Sequence, residues 1–269
     1  MDPSSFLHWS IDPEIFGLGP LRPRYYGILF LAAFYVGFYV VRWMYRREGR
    51  SLVDLDHLLL YMMGGAVIGA RLGHCFFYDP GYYLLNPVEI LKVWRGGLAS
   101  HGGALGIAVA LWHYSRSRPD QPYLWVFDHM ALPTALGGFF IRLGNFFNSE
   151  ILGVPSTLPW AVVFLRYDDV PRHPAQLYES LAYMAIFWML LVLYRWGQGR
   201  LADGYLIGAF FTLVFGIRFL IEFVKERQAA YGHDLPLTVG QWLSIPVVLL
   251  GIALFVRAVL ISRQDETAV

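Results

Sequence analysis

The sequence predicts an all-α polytopic membrane protein with about seven transmembrane helices, its N-terminus outside and its C-terminus cytoplasmic. Three observations predict it. Hydrophobic residues make up 57% of the 269 residues and charged residues only 15%, against roughly 25% charged in a soluble domain. The apolar residues gather into runs of about 20, the length a helix needs to cross a hydrocarbon core. The first run ends in Arg42, Arg46, Arg47 and Arg50, a basic cluster that the positive-inside rule assigns to the cytoplasm. We read residues 1–269 as a single integral membrane domain with an outward-facing loop region at about 150–173.

The remaining bulk properties narrow the function classes. A formal net charge of +1, with no zinc-finger, helix-turn-helix or RNA-binding signature, argues against a nucleic-acid partner. Cys75 is the single cysteine, so no internal disulfide is expected. His57, His113, His129 and His233 lack ligand-like spacing, and no metal site or cofactor is expected. The start, Met1-Asp-Pro-Ser-Ser, lacks the basic n-region of a cleavable signal, so the first helix is expected to stay attached.

Taken in order, residues 1–23 carry turn formers at Asp12-Pro13 and Gly19-Pro20, and Ile15, Phe16 and Leu18 suit the membrane interface. Span one runs from Tyr25 to about Tyr45. Span two covers about His57 to Tyr78, where Gly65, Gly69 and Gly73 recur at i, i+4, i+8 and permit close helix contact. Residues 79–97 form a loop with a short amphipathic piece around Val88–Trp94. Span three starts near Leu98 and ends at Arg116, and span four covers about Leu124 to Phe147. Span five starts at Arg172-His-Pro174, proline suiting a first helical position, and stops near Tyr194. Span six covers about Asp203 to Val224 and span seven about Val239 to Leu260. Trp43, Tyr45, Tyr82, Tyr83, Trp94, Trp112, Tyr114 and Trp196 lie near run ends, where aromatic rings anchor at headgroups.

One stretch breaks the pattern. Arg142-Leu-Gly-Asn145-Phe-Phe-Asn148-Ser-Glu150 packs a guanidinium, two amides and a carboxylate into the end of an apolar helix, each costly to remove from water. Arg142, Asn145 and Ser149 share a helix face. An arginine in a low-dielectric pocket receives phosphate through charge-assisted hydrogen bonds, so the stretch reads as a socket for an anion such as a phospholipid headgroup. His101, followed by Gly102 and Gly103, is a candidate acid-base group, and two glycines let backbone approach a ligand. Arg218 and Glu222 are spaced i, i+4 and can neutralise each other. Each of these residues can instead serve packing by bonding a neighbouring helix. Their joint position favours a site: in the seven-span reading His101, Asn145 to Glu150, Arg172 to Glu179, Arg218 with Glu222, and Tyr26 all fall toward the outer leaflet. A transporter or channel with buried arginines, and a lipid-binding protein without catalysis, stay open on these grounds.

Taken together, the motifs resemble those of the bacterial prolipoprotein diacylglyceryl transferases. Arg142 to Gly153 looks like that family's signature, and Ser100-His101-Gly-Gly like its histidine-glycine-glycine motif. Further matches are Tyr25-Tyr26-Gly27, Gly69-Ala-Arg71-Leu-Gly73, Arg172-His-Pro-Ala-Gln-Leu-Tyr-Glu179, Arg218-Phe-Leu-Ile-Glu222-Phe and Gly240-Gln-Trp-Leu-Ser-Ile-Pro246. Ile141 and Ser149 stand where the family commonly has glycine. The resemblance implies a multi-pass protein of the bacterial inner membrane, with the 150–173 loop facing the periplasm. It implies transfer of diacylglycerol from phosphatidylglycerol to the lipobox cysteine of a preprolipoprotein, with glycerol phosphate released. The attacking sulfur then belongs to the substrate and not to Cys75. On this reading Arg142 and Arg218 hold the phosphate, and His101 is the base with Glu150 as runner-up. Tyr26, Arg71, Gly102, Gly103, Asn145, Asn148, Gly153 and Glu222 position the headgroup and shape the pocket.

Overall fold

A computed structural model describes residues 6–17, 22–93, 96–198, 200–227 and 236–267. Leu18, the Gly19-Pro20 turn, Trp94 and His233 lie outside these residues. The helices are α1 (Tyr25–Arg47), α2 (Leu52–Phe77), the short α3 (Pro80–Leu85), α4 (Ser100–Arg116), α5 (Tyr123–Asn148), α6 (Ala175–Gly197), α7 (Tyr205–Ile221) and α8 (Val239–Thr267). Six are long and apolar enough to span a membrane: α1, α2, α5, α6, α7 with its 3-10 extension to Val224, and α8. The chain is therefore an all-α polytopic membrane protein. The expected third span is α4, which has 17 residues. At 1.5 Å per residue it is about 25 Å long, short of a hydrocarbon core of about 30 Å. Ala99 is extended just ahead of it, which delays its start.

Local chemistry moves the other boundaries. The second span begins earlier than expected, because the Ser51 side chain accepts from the Val53 N–H and caps the helix there. The fifth begins later, at Ala175, because Pro171–Arg172 is drawn into a strand. That strand belongs to a three-stranded sheet that the apolar pattern does not announce. β1 (Leu7–Trp9) pairs in parallel with β2 (Val162–Phe164), and β2 pairs antiparallel with β3 (Pro171–Arg172). Strands of two or three residues are too short to display alternation.

The chain divides into two compact units, residues 42–127 and residues 1–41 with 128–269. In the first, α2 and α4 meet through glycines. A Cβ on Gly106 would lie 2.7 Å from Gly69 Cα, and one on Gly102 would lie 2.9 Å from Gly73 Cα and against the Gly69 carbonyl. Small residues bring two backbones together where lipid offers no hydrophobic drive. One end of this unit is tied by Asp54, which pairs with Arg118 at 2.9 Å and accepts from Gln121. Gln121 Oε1 in turn accepts from the hydroxyls of Tyr45 and Tyr114.

In the second unit the sheet packs on the C-terminal end of α5. Trp9 lies 4.3 Å from Phe146 ring to ring, and Phe146, Leu152, Val162 and Phe164 form a buried cluster. This cluster fixes where α5 stops and the chain turns toward Gly153. The buried Asp128 accepts from the backbone N–H groups of Gly204 and Ile207 at 2.8 Å. It thereby caps α7, the helix carrying Arg218, from a distant part of the chain.

Arg172 ties the strands to the turn. It pairs with Asp168 at 2.5 Å and donates to the Gly153 carbonyl at 3.2 Å. Hydrogen bonds from the Arg172 side chain hold the Asp168 carboxyl below its ordinary value. A lowered carboxylate contributes stability above its unfolded value and loses it as pH falls through its folded value. Amide protection of Val163 and Phe164 is therefore expected to be flat from neutral pH down to about 5, and to drop only below about 4. Hydrogen exchange measured across that range checks it; loss already at pH 6 contradicts it.

Candidate active site

The site assembles where α5 ends, α6 begins and α7 ends. Arg142 sits near the end of α5 with its side chain 14% exposed. Its Nε lies 2.9 Å from Oε2 of Glu179, a carboxylate on α6 that is fully buried. The N–H is out of line for a hydrogen bond, so this is a charge pair. Arg142 Nη1 donates to Asn145 Oδ1 at 3.1 Å, and the Tyr183 hydroxyl is within hydrogen-bonding range of the same guanidinium. A guanidinium carries five N–H groups. At least two of Arg142's have no partner among the described residues.

From Asn145 the chain of contacts runs on. Asn145 Nδ2 donates to Glu150 Oε1 at 2.7 Å, and Asn148 Nδ2 reaches the same oxygen at 3.3 Å. Glu150 itself is exposed, and its backbone carbonyl accepts from the buried Gln176 at 2.7 Å. The turn around Glu150 is tight: Ser149 has φ 54° and Ile151 φ 60°. Both lie in the left-handed region, which costs a residue with a side chain roughly 1 kcal/mol or more. This explains why glycine suits position 149 in the resembling family. Ser149→Gly is expected to raise stability by about 1 kcal/mol, read as a higher unfolding temperature in detergent; an unchanged or lower value contradicts it.

Glu222 does not neutralise Arg218. Its Oε2 lies 3.3 Å from Lys225 Nζ, and its Oε1 accepts from the Thr238 hydroxyl at 3.0 Å. Lys225 also approaches Glu179 Oε1 at 3.5 Å. Half-buried Arg218 has no ion pair or side-chain hydrogen bond among the described residues, although it acts electrostatically on Tyr183. Around these cations lie buried acceptors without a hydrogen bond: Asn148 Oδ1, Gln176 Oε1, Glu179 Oε2 and Glu222 Oε2. Glu179 Oε2 and Glu222 Oε2 are held by the charges of Arg142 and Lys225, while Asn148 Oδ1 and Gln176 Oε1 can accept from a hydroxyl or amide donor.

Two further expected residues shape this unit. Tyr26 lies against Gly144, one residue before Asn145, where an added Cβ would come within 2.8 Å of its ring. Gly153 pairs with Lys225 in an isolated bridge and receives its neighbours at backbone distance. Lys225 and Tyr183 were not singled out from sequence, and Gln176 and Glu179 stood only within the Arg172–Glu179 motif, with no role assigned. The signal for Glu179 was present, a carboxylate one helical turn into an apolar run, where only a buried cation explains it.

The other expected residues belong to the unit of residues 42–127. Arg71 is buried and donates to the carbonyls of Glu89, Ile90, Gly96 and Gly97 at 2.5–3.2 Å, with its guanidinium over the Tyr83 ring. It organises the segment after α3. Gly102 meets α2, and Gly103 faces the Ala66 carbonyl and Ala70 Cβ at 3.5 Å. His101 is exposed at the start of α4, with no side-chain hydrogen bond among the described residues.

Comparison with known proteins bears on this geometry. A family model described as prolipoprotein diacylglyceryl transferase matches residues 13–257. A Chloroherpeton thalassium protein is 52% identical over 269 residues, covering all of both chains. A Tolumonas auensis protein is 50% identical over 260 residues, 97% of this chain and 99% of its own. A Bacteroides fragilis protein is 42% identical over 258 residues, 91% and 93% of the two chains. All three are named phosphatidylglycerol–prolipoprotein diacylglyceryl transferase. A match across nearly the whole chain, on a polytopic helical frame, makes this chain a member of the prolipoprotein diacylglyceryl transferase family.

Proposed function

We propose that the protein transfers the diacylglyceryl group of phosphatidylglycerol to the lipobox cysteine of preprolipoproteins in the bacterial inner membrane, with the site toward the outer leaflet. The observation that carries the reading is the pairing pattern of the cations. Arg218 is unpaired among the described residues and Arg142 keeps free N–H groups, although both lie in a spanning segment where an unpaired charge is expensive. A phosphodiester satisfies them. Arg142 and Arg218 hold its oxygens and stabilise the charge that grows on them as the carbon–oxygen bond breaks. The hydroxyl groups of a glycerol headgroup supply donors to the acceptors on Asn148 and Gln176 that lack a hydrogen bond among the described residues.

In the reaction the peptide thiol loses its proton, sulfur attacks the glycerol carbon, and glycerol phosphate leaves with the bonding electrons. The thiolate is the nucleophile, so a base must take the proton. His101 is the first candidate, its imidazole uncommitted among the described residues; Glu150 already spends Oε1 on two amide donors. Gly102 and Gly103 act by setting the helix contact that holds His101 at the head of α4, and Arg71 by shaping the segment it binds. Asn145, Asn148 and Glu150 hold the turn beside Arg142, Tyr26 walls it, and Gly153 and Glu222 form its floor.

Purified protein incubated with phosphatidylglycerol and a lipobox peptide tests this. The peptide is expected to gain one diacylglyceryl mass, with an equal amount of glycerol phosphate released. No mass gain by a folded protein, or gain of a single acyl chain, overturns the reading.

A further inference from the structure

We propose that Glu179 and Lys225 form a positioning pair that sets how much of Arg142's charge is available to the phosphate and in which direction its N–H groups point. The inference rests on the phosphodiester reading above. Glu179 is fully buried and stands between two cations: its Oε2 lies 2.9 Å from Arg142 Nε, its Oε1 3.5 Å from Lys225 Nζ. Lys225 is 5% exposed and divides itself between Glu179 and Glu222, the latter at 3.3 Å. Thr238 then fixes the far oxygen of Glu222. The result is one line of contacts from the cap of α8, through the end of α7, into α6 and on to the end of α5.

The balance of this line is informative. Along it Arg142 and Lys225 stand against Glu179 and Glu222, two cations paired with two carboxylates, while Arg218 acts with Arg142 on Tyr183 and joins none of these pairs. The line is neutral as a whole, so how Glu179 is shared decides how much of the Arg142 charge a phosphodiester meets. A lone Arg142–Glu179 pair carries no net charge and would neutralise the arginine. Lys225 prevents that by taking a share of Glu179. Glu179 meanwhile holds the Nε edge of the guanidinium and leaves the Nη edge directed elsewhere. A lysine suits the shared position, because a compact ammonium has no preferred plane and can serve two carboxylates.

The two residues therefore have opposite effects on lipid affinity, which a purely structural role would not produce. In steady-state kinetics of the full chain with phosphatidylglycerol in mixed micelles and a lipobox peptide, Lys225→Met is expected to raise KM for the lipid about tenfold, with kcat within about threefold of the parent. Glu179→Gln is expected to lower KM severalfold while kcat falls about tenfold, because the anion binds a stronger but unaimed cation. Lys225→Arg restores both to near the parent values. Glu179→Asp keeps the charge and so guards against misfolding: KM stays and kcat falls.

If Lys225→Met and Glu179→Gln shift KM in the same direction, or Glu179→Asp leaves kcat unchanged, the positioning pair is overturned. Arg142→Lys separates that failure from failure of the underlying reading. KM unmoved by Arg142→Lys and by both single variants sinks the phosphodiester site itself. A raised KM in Arg142→Lys, with the single variants silent, sinks only the pair.

Discussion

Arg142→Ala is expected to abolish transfer, by a factor of about 10³ or more. Three losses combine. Removing one donor from a site that stabilises developing charge costs about 10²–10³ in rate. The phosphate also loses half of its cationic grip. Glu179, fully buried, keeps only Lys225 at 3.5 Å, and breaking a buried ion pair costs about 3–5 kcal/mol of stability. The last effect clouds interpretation, so Arg142→Lys is the informative companion. Lysine keeps the charge that Glu179 needs but cannot span a phosphate with two parallel bonds. Transfer by Arg142→Lys is expected to fall about 10²-fold, in a protein whose elution in gel filtration is unchanged. Near-parental turnover in either variant contradicts the assigned role.

Gly153→Ala is expected to be almost as damaging, for a reason that involves no charge. A Cβ there would collide with the His173 carbonyl, lie 2.5 Å from His173 Cβ and 2.8 Å from the Val224 carbonyl. Two of these obstacles are backbone, which cannot swing aside. The Gly153 N–H donates to the His173 carbonyl, Val154 N–H to Val224, and Arg172 to the Gly153 carbonyl. One methyl group therefore pushes apart the segments that hold Lys225, the start of α6 and the turn around Glu150. Overpacking of this kind costs about 1–3 kcal/mol, and a displacement of about 1 Å at a reacting centre costs about 10²-fold in rate. Helical circular dichroism is expected to be unchanged while transfer falls about 10²-fold. Full activity in Gly153→Ala would show that the backbone contacts of Gly153 do not set the site.

How far the sequence revealed this follows the length scale of each feature. The spans were legible because about 20 apolar residues leave a continuous signal; their ends moved where a single hydrogen bond decides, as at Ser51. The small sheet was hidden because Val162–Phe164 and Pro171–Arg172 are too short for a period and find partners across the chain. Glycines at 65, 69 and 73 announced a close contact, but not that Gly102 and Gly106 supply its other side. In the site, Arg142 and Arg218 stood out as charges in lipid. Glu179 as the charge partner of Arg142 did not, because it lies on another helix. The i, i+4 spacing of Arg218 and Glu222 pointed to a local pair, whereas Glu222 turns to Lys225 and Thr238. Lys225, at i+3 from Glu222, was within the reach of spacing, whereas Thr238 and the Arg142–Glu179 pair are set by which segments meet and are invisible to it.

The central claim is that two guanidinium groups grip a lipid phosphate, and lipid binding tests it without any chemistry. Equilibrium binding of phosphatidylglycerol and of diacylglycerol, which lacks the phosphate, should be compared for the parent protein and for Arg142→Gln/Arg218→Gln. The parent is expected to prefer phosphatidylglycerol by about 10²-fold and the double variant to lose that preference. A preference of the same size in the folded double variant would contradict it.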